Sequence, residues 1–120
     1  MKKFWILFLW IGLSQSIFLF GQTDLEKKKI DFLLHQIEQL KAAKFWRNGI
    51  SYSPVEAVDY LRMKMNWNDR ARPIKSAKDF IERIASKSTI SGKPYFIQMA
   101  DGKRIETKVF LEQKLSEWKE

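Results

Sequence analysis

The most constraining feature of this sequence is a pair of tight-turn dipeptides, each followed closely by a helix start. Asn48-Gly49 separates two short runs rich in aromatic residues and Ile. A two-residue turn of this kind needs positive φ at both central positions, which Asn and Gly tolerate, and it is a strong short-range hairpin signal. Two antiparallel strands are expected, at 45–47 and 50–52. Ser53-Pro54-Val55-Glu56 comes directly after them. It supplies an N-cap serine, a proline at the first helical position and a glutamate that completes a capping box. The second dipeptide, Asp101-Gly102, turns a strand at 95–99 into a return strand at 103–106. Thr107 is then expected to cap a last helix whose Phe110, Leu111, Leu115 and Trp118 face the core.

The remaining segments read as helices. Thr23-Asp24-Leu25-Glu26 has the form of a capping box, and Ile30, Leu33, Leu34, Ile37 and Leu40 follow at helical spacing. This predicts an amphipathic helix of about five turns. His35, the only histidine, lies beside the apolar stripe and is expected to pair with Asp31 one turn earlier. The helix opened by Ser53 carries two stripes. Val58, Leu61 and Met65 share one side; Tyr60, Met63 and Trp67 share another, about 160° away. The first stripe faces the core. For the second, burial in a further layer of the same domain is favoured over a partner surface. Ser76-x-x-Asp79 opens a third helix with Phe80, Ile81, Ile84 and Ala85 inward, fraying near Ser86. The order helix, hairpin, helix, helix, hairpin, helix predicts an α+β domain whose hairpins share one small antiparallel sheet. A helical domain with two hairpin appendages is the alternative.

Residues 1–21 stand apart from this pattern. Lys2 and Lys3 precede an apolar run broken by Gly12, then Ser14-Gln15-Ser16, a second short apolar run and Gly21. That is a secretory signal pattern. Cleavage after Gly21 removes every apolar residue of the segment, whereas cleavage after Ser16 would leave residues 17–20 exposed. The expected product is therefore a single domain over 22–120, periplasmic or secreted, with no stable membrane span. An uncleaved anchor is the competing reading. The full chain has 22 basic and 14 acidic residues; losing Lys2 and Lys3 leaves 20 − 14 = +6. The basic residues are spread without a block, so charge alone indicates solubility and at most a general attraction to anionic envelope material. There is no cysteine. Disulfides, thiolate zinc sites and a lipidated N-terminal cysteine are excluded, and a lone histidine offers no metal site. No cofactor is expected.

The chemistry-bearing stretch is "ASKSTISGKPY", residues 85–95. A phosphate loop would need Gly where Lys87 stands and Ser or Thr where Pro94 stands. No serine within the stretch has a lysine three residues on, so the Ser-x-x-Lys hydrolase pattern is missing as well. No catalytic residue is assigned. Hydroxyls, lysines and free backbone N–H groups can still hold a polar or anionic group. A helix end followed by a tight Ser91-Gly92 turn accounts equally for the composition.

"FWRNGISYSPVEAVDYLRMKM" and "SAKDFIERIASKSTISGKPYFI", with the Arg72-Pro73-Ile74 lead-in, resemble the YfeK-like family of small exported bacterial proteins, a domain family of unknown function. The resemblance implies export and one small domain, and no known reaction. Where it leads one to expect a histidine in the second helix, Tyr60 stands, and the cysteines it suggests near the first hairpin and in the later strand are absent. Arg47, Asn48, Arg62 and Lys64 are expected near Ser86, Ser88, Ser91, Gly92, Lys93 and Tyr95, forming a polar, basic pocket, with Tyr60, Met63 and Trp67 as a possible partner surface. The preferred reading is a non-catalytic envelope module that binds an anionic or polar ligand or a protein partner. The alternative is a small envelope hydrolase using a loop serine with a lysine base. Nucleic acid fits export poorly, and no nucleic-acid motif is present.

Overall fold

The computed structural model describes residues 22–120. Helix α1 (Asp24–Glu38) is followed by strands β1 (Lys44–Arg47) and β2 (Ile50–Tyr52) and helix α2 (Pro54–Ala71). Helix α3 (Ala77–Phe80) runs on as a π-helical turn (Ile81–Ala85). Strands β3 (Phe96–Gln98) and β4 (Arg104–Glu106) and helix α4 (Thr107–Ser116) complete the described chain. The signal-peptide expectation falls on residues 1–21, outside the described residues.

The fold is α+β, as expected. Both hairpins join one antiparallel sheet in the order β2-β1-β3-β4. Its register sets Tyr52, Phe45, Ile97 and Ile105 in one cross-strand row. Phe45 and Ile97 are fully buried, and Tyr52 and Ile105 pack against the core. Successive side chains on a strand point to opposite faces, so Trp46 and Gln98 lie on the other face. There Trp46 Nε1 donates to Gln98 Oε1 at 2.9 Å, and Arg104 stacks on the Trp46 ring. The turn joining β1 and β2 has φ 51° at Asn48 and 78° at Gly49, the double positive φ this turn requires.

The helices close over the row. Ile30, Leu33, Leu34 and Ile37 of α1 meet Ala57, Val58 and Leu61 of α2, Phe80, Ile81 and Ile84 of the third helical segment, and Phe110 and Leu111 of α4. Each large apolar side chain buried here contributes about 1.5–3 kcal/mol. The Ser53–Glu56 capping box is complete: Ser53 Oγ accepts from Glu56 N at 3.1 Å, and Glu56 Oε1 accepts from Ser53 N at 3.0 Å.

Several local expectations are corrected. At α1, Thr23 Oγ1 caps Glu26 N, but Glu26 does not reach back to Thr23. Its Oε1 accepts from Ala77 N at 2.9 Å, so one glutamate serves the start of α3, 51 residues away. That bond, outweighing the opposing effect of burial, holds the Glu26 carboxyl below its ordinary range. Helix α1 spans 15 residues, about four turns, and Leu40 lies beyond it. Asp31 pairs with Arg62 of α2 at 3.4 Å, in place of the expected His35. Thr107 is the first residue of α4; Glu106 holds the cap position and makes no side-chain cap bond. The Thr107 side chain is buried, and its hydroxyl has no partner among the described residues. The second stripe of α2 is not buried in a further layer: Met63 is 52% and Trp67 76% exposed, and only Tyr60 is half-buried.

Candidate functional site

The loop after the third helical segment folds back as a small hairpin-like turn. Lys87 and Pro94 form an isolated antiparallel bridge, Ser88 N donates to Lys93 O, and Gly92 N donates to Ser88 O. Gly92 sits at φ 73°, in the left-handed region that favours glycine. Ser88 is buried and organises the loop: its Oγ accepts from Ser91 N and from Asn48 Nδ2, each at 3.2 Å. Ser91 Oγ donates to Asn48 Oδ1 at 2.6 Å. The Asn48 amide therefore ties the tip of the first hairpin to the loop through two serines.

Below this tie lies Lys64. Helix α2 is amphipathic, and Lys64 falls on its buried side, one turn beyond Leu61. The residue is 7% exposed. Its Nζ donates to the Lys87 carbonyl at 2.8 Å and to Tyr95 Oη at 3.0 Å. Tyr95 is fully buried, and its hydroxyl lies 3.3 Å from that of Tyr60. Arg47 comes in from β1. Its guanidinium stacks 4.1 Å from the Tyr60 ring centroid and donates to Tyr52 Oη at 2.9 Å. Each ion pair among the described residues involves other side chains. Arg47 and Lys64 thus share a site with no carboxylate bonded to either. Glu56 and Asp59 line a neighbouring cleft with Arg47 without bonding it.

The electrostatics follow. Burial, and secondarily the Arg47 charge, lowers the Lys64 pKa from 10.5 to about 8. Burial raises that of Tyr95, reinforced by its contact with Tyr60. Near neutral pH the site therefore carries two cations and the neutral phenol of Tyr95. A cavity of about 330 Å3 opens above it, lined by Arg47, Tyr60 and Lys64 inside and by Met63, Trp67 and Ile90 at its mouth. Ser88 and Thr89 form its loop wall. A second, wider cleft of about 580 Å3 lies across the same loop, with Arg72, Arg83 and Lys87 along it.

Of the residues expected to form a basic pocket, Arg47, Lys64, Ser88 and Tyr95 come together, with Asn48 and Ser91 bracing them. Arg62 does not join: two residues before Lys64 it points about 160° away around the helix, to Asp31. Ser86 Oγ turns back to Glu82 O at 2.7 Å, and the Lys93 side chain is exposed while its backbone N–H donates to Ser91 Oγ and its carbonyl accepts from Ser88 N. Gly92 shapes the loop and lines the wider cleft. Tyr52 and Ile90 were not anticipated. Tyr52 is legible only through the hairpin register, because β-pairing brings its strand beside Arg47. No local pattern marks Ile90. The i, i+4 relation of Tyr60 and Lys64 was a usable signal, since it sets the lysine one turn beyond the tyrosine. Among the described residues no group of three His, Asp or Glu side chains is placed to hold a metal ion.

Residues 24–119 match a family described as a family of unknown function, DUF5329. The chain is 43% identical over 70 residues to an uncharacterized protein, YfeK, of Salmonella typhimurium. That alignment covers 58% of this chain and 57% of the relative's length. No solved structure matches the chain. The family match spans nearly all the described residues, from the first helix through the last, and agrees with the YfeK-like resemblance in the two loop-bearing segments: the chain belongs to the family of unknown function DUF5329.

Proposed function

We propose that this protein is an exported, non-catalytic envelope module that binds an anionic group in the cavity between α2 and the loop at 87–95. The observation that carries this reading is the pairing of Arg47 and Lys64 in one partly enclosed cavity without a carboxylate partner. Burying a cation is costly unless an opposite charge or good hydrogen bonds compensate. Lys64 has one carbonyl and one phenol, and Arg47 has one phenol and two aromatic rings. An anion entering the cavity would complete both. Export is supported by the basic, apolar, small-residue order of residues 1–21.

The direct experiment is native mass spectrometry of protein purified from its own envelope. A retained anionic ligand, absent from the Lys64→Met variant, is the expected outcome. N-terminal sequencing of the same material should begin at Gln22; an intact Met1 in the membrane fraction would establish an anchor instead.

One observation favours the hydrolase reading: Lys64, with its lowered pKa, and Ser88 line the same cavity. The hydrogen bonds argue against it. Lys64 Nζ donates to a carbonyl and a phenol, and Ser88 Oγ is held by Asn48 and Ser91 N. A serine nucleophile needs its base within hydrogen-bond reach. A fluorophosphonate should therefore leave Ser86, Ser88 and Ser91 unlabelled. Stoichiometric labelling of Ser88 that disappears in Lys64→Met would replace the binding reading with the hydrolase.

A further inference from the structure

We infer that the occupant of this cavity is a free single-chain amphiphilic anion, a carboxylate or phosphate head on a short alkyl tail, seated head-down. The inference rests on the anion-binding reading above and adds the tail and the orientation. Depth is the first argument. Lys64 at the base is 7% exposed, whereas Met63, Trp67 and Ile90 at the mouth are 52%, 76% and 96% exposed. Three apolar side chains, interrupted by the polar Asn68 and Thr89, thus rim the cavity between the cation and the solvent. Exposed apolar side chains scattered singly are ordinary, but three of them, from a helix and a loop, gathered on one mouth form a patch. A small hydrated anion gains nothing from such a rim. An alkyl tail leaving a head held at Lys64 and Arg47 would lie along it, and each methylene it buries would raise affinity about fourfold.

Size is the second argument. A cavity of about 330 Å3 sits at the lower end of small-molecule sites, which run from about 300 to 1,000 Å3. It suits one short chain better than a two-tailed lipid. A bilayer surface is also a poor fit, because a headgroup would have to leave its layer and descend past the rim to reach Lys64.

The test titrates the purified protein calorimetrically with octanoate, hexanoate, acetate, octanol and octyltrimethylammonium, and with vesicles of anionic phospholipid, while following Trp67 emission. Octanoate should bind about fifteenfold more tightly than hexanoate, at least that much more tightly than acetate, and at least tenfold more tightly than octanol or the ammonium, with a blue shift of Trp67 that Trp67→Phe removes. Lys64→Met should abolish octanoate binding. Ile90→Asp and Met63→Asp alter exposed positions, so folding, checked by circular dichroism, should persist while the chain-length dependence disappears. Acetate binding as tightly as octanoate, with both lost in Lys64→Met, would overturn the amphiphile and leave the anion site standing. Binding of no anion at all would overturn both readings. Octanol or the ammonium matching octanoate would show an apolar site indifferent to charge, and response to vesicles alone would show a membrane surface; either result overturns the inference.

Discussion

Arg83 and Lys64 are both cations drawn into the body of the protein, and their surroundings differ completely. Arg83, one turn beyond Asp79, reaches back to the connection at 72–76. It pairs with Asp79 at 3.0 Å and donates to the carbonyls of Pro73 and Arg72. Around it the local polar groups are matched as well: Asp69 accepts from Ile74 N, Asp79 from Lys75 N, and Glu26 from Ala77 N. Lys64, at the corner of α2 and the loop, has a carbonyl and a phenol and no carboxylate. The first corner uses charge to fasten a connection that has little apolar content. The second leaves charge uncompensated beside a cavity. A cation that already has its anion is structural, and one that lacks it is available to a ligand.

Exchanging the arginine is the strongest way to break this comparison. Arg83→Met removes an ion pair and two carbonyl bonds that close the connection before α3. It should cost about 2–3 kcal/mol, since hydrogen bonds to a charged group contribute more than neutral ones. Lys64→Met loses two bonds but also removes a buried charge, so its net change should stay below about 1 kcal/mol. Urea midpoints of the two variants measure the difference. Equal losses would erase the distinction between the two corners.

Ser88→Ala comes next. The buried hydroxyl joins Asn48 Nδ2 and Ser91 N, and without it two donors lose their acceptor. A loss of about 1–2 kcal/mol is expected. Ser86→Ala removes only a bond to its own helix, to Glu82 O, and should cost less than about 0.5 kcal/mol. Thermal melts of both variants distinguish a loop tied to the sheet from one supported only by its helix end.

The pH profile sharpens the comparison further. Burial, followed by the Arg47 charge, lowers the Lys64 pKa to about 8, against 10.5 ordinarily. Between these values the unfolded chain holds more protons than the folded one, so stability rises with pH from about 8 towards 10.5. Tyr95 acts in the opposite sense. Its raised pKa keeps the folded phenol protonated while the unfolded one ionises, so stability turns down above pH 10. Allowing for solvent screening at the cavity, the rise should be on the order of 1–2 kcal/mol. Denaturation across pH 7–10 should show it in the parent and not in Lys64→Met. The smallest effect is expected at the exposed Arg62–Asp31 pair, where Arg62→Gln should change stability by less than about 0.5 kcal/mol. A larger loss on melting would mean that this pair, and not apolar packing, holds α1 to α2.

The parts of the fold that were legible beforehand are those decided within a few residues. Asn48-Gly49 turns because only certain residues accept positive φ, and Ser53-Pro54-Val55-Glu56 starts a helix because its groups satisfy one another within a single turn. Helical periodicity then placed Leu33, Leu61 and Phe80 in the core, whereas the burial of Phe45 and Ile97 on the inner face of the sheet came only with the structure. The candidate site was half legible. Arg47, Lys64, Ser88 and Tyr95, expected together, do come together in space, whereas Arg62, Ser86 and Lys93 point elsewhere, and Tyr52 and Ile90 enter without a local signal. Nothing local distinguishes Arg62 from Lys64 as polar residues; the packing of α2 against α1 on one side and the loop on the other separates them.

What only the tertiary structure decided is the destination of each charge. Glu26 carries a capping-box sequence and caps a different helix, because packing brings the buried Ala77 N within 2.9 Å of its Oε1. Asp31 takes Arg62 from across the helix interface in place of His35. Lys64 is buried because helix phase sets it one turn beyond Leu61, and it stays unpaired because the loop that covers it offers a carbonyl and a tyrosine. Those partners lie 23 and 31 residues away in the chain. Turns and caps are settled by backbone sterics and by hydrogen bonds spanning three or four residues, which composition displays directly. The pairing of buried charges depends on which surfaces meet once the apolar faces have packed, and no stretch of sequence contains that information by itself.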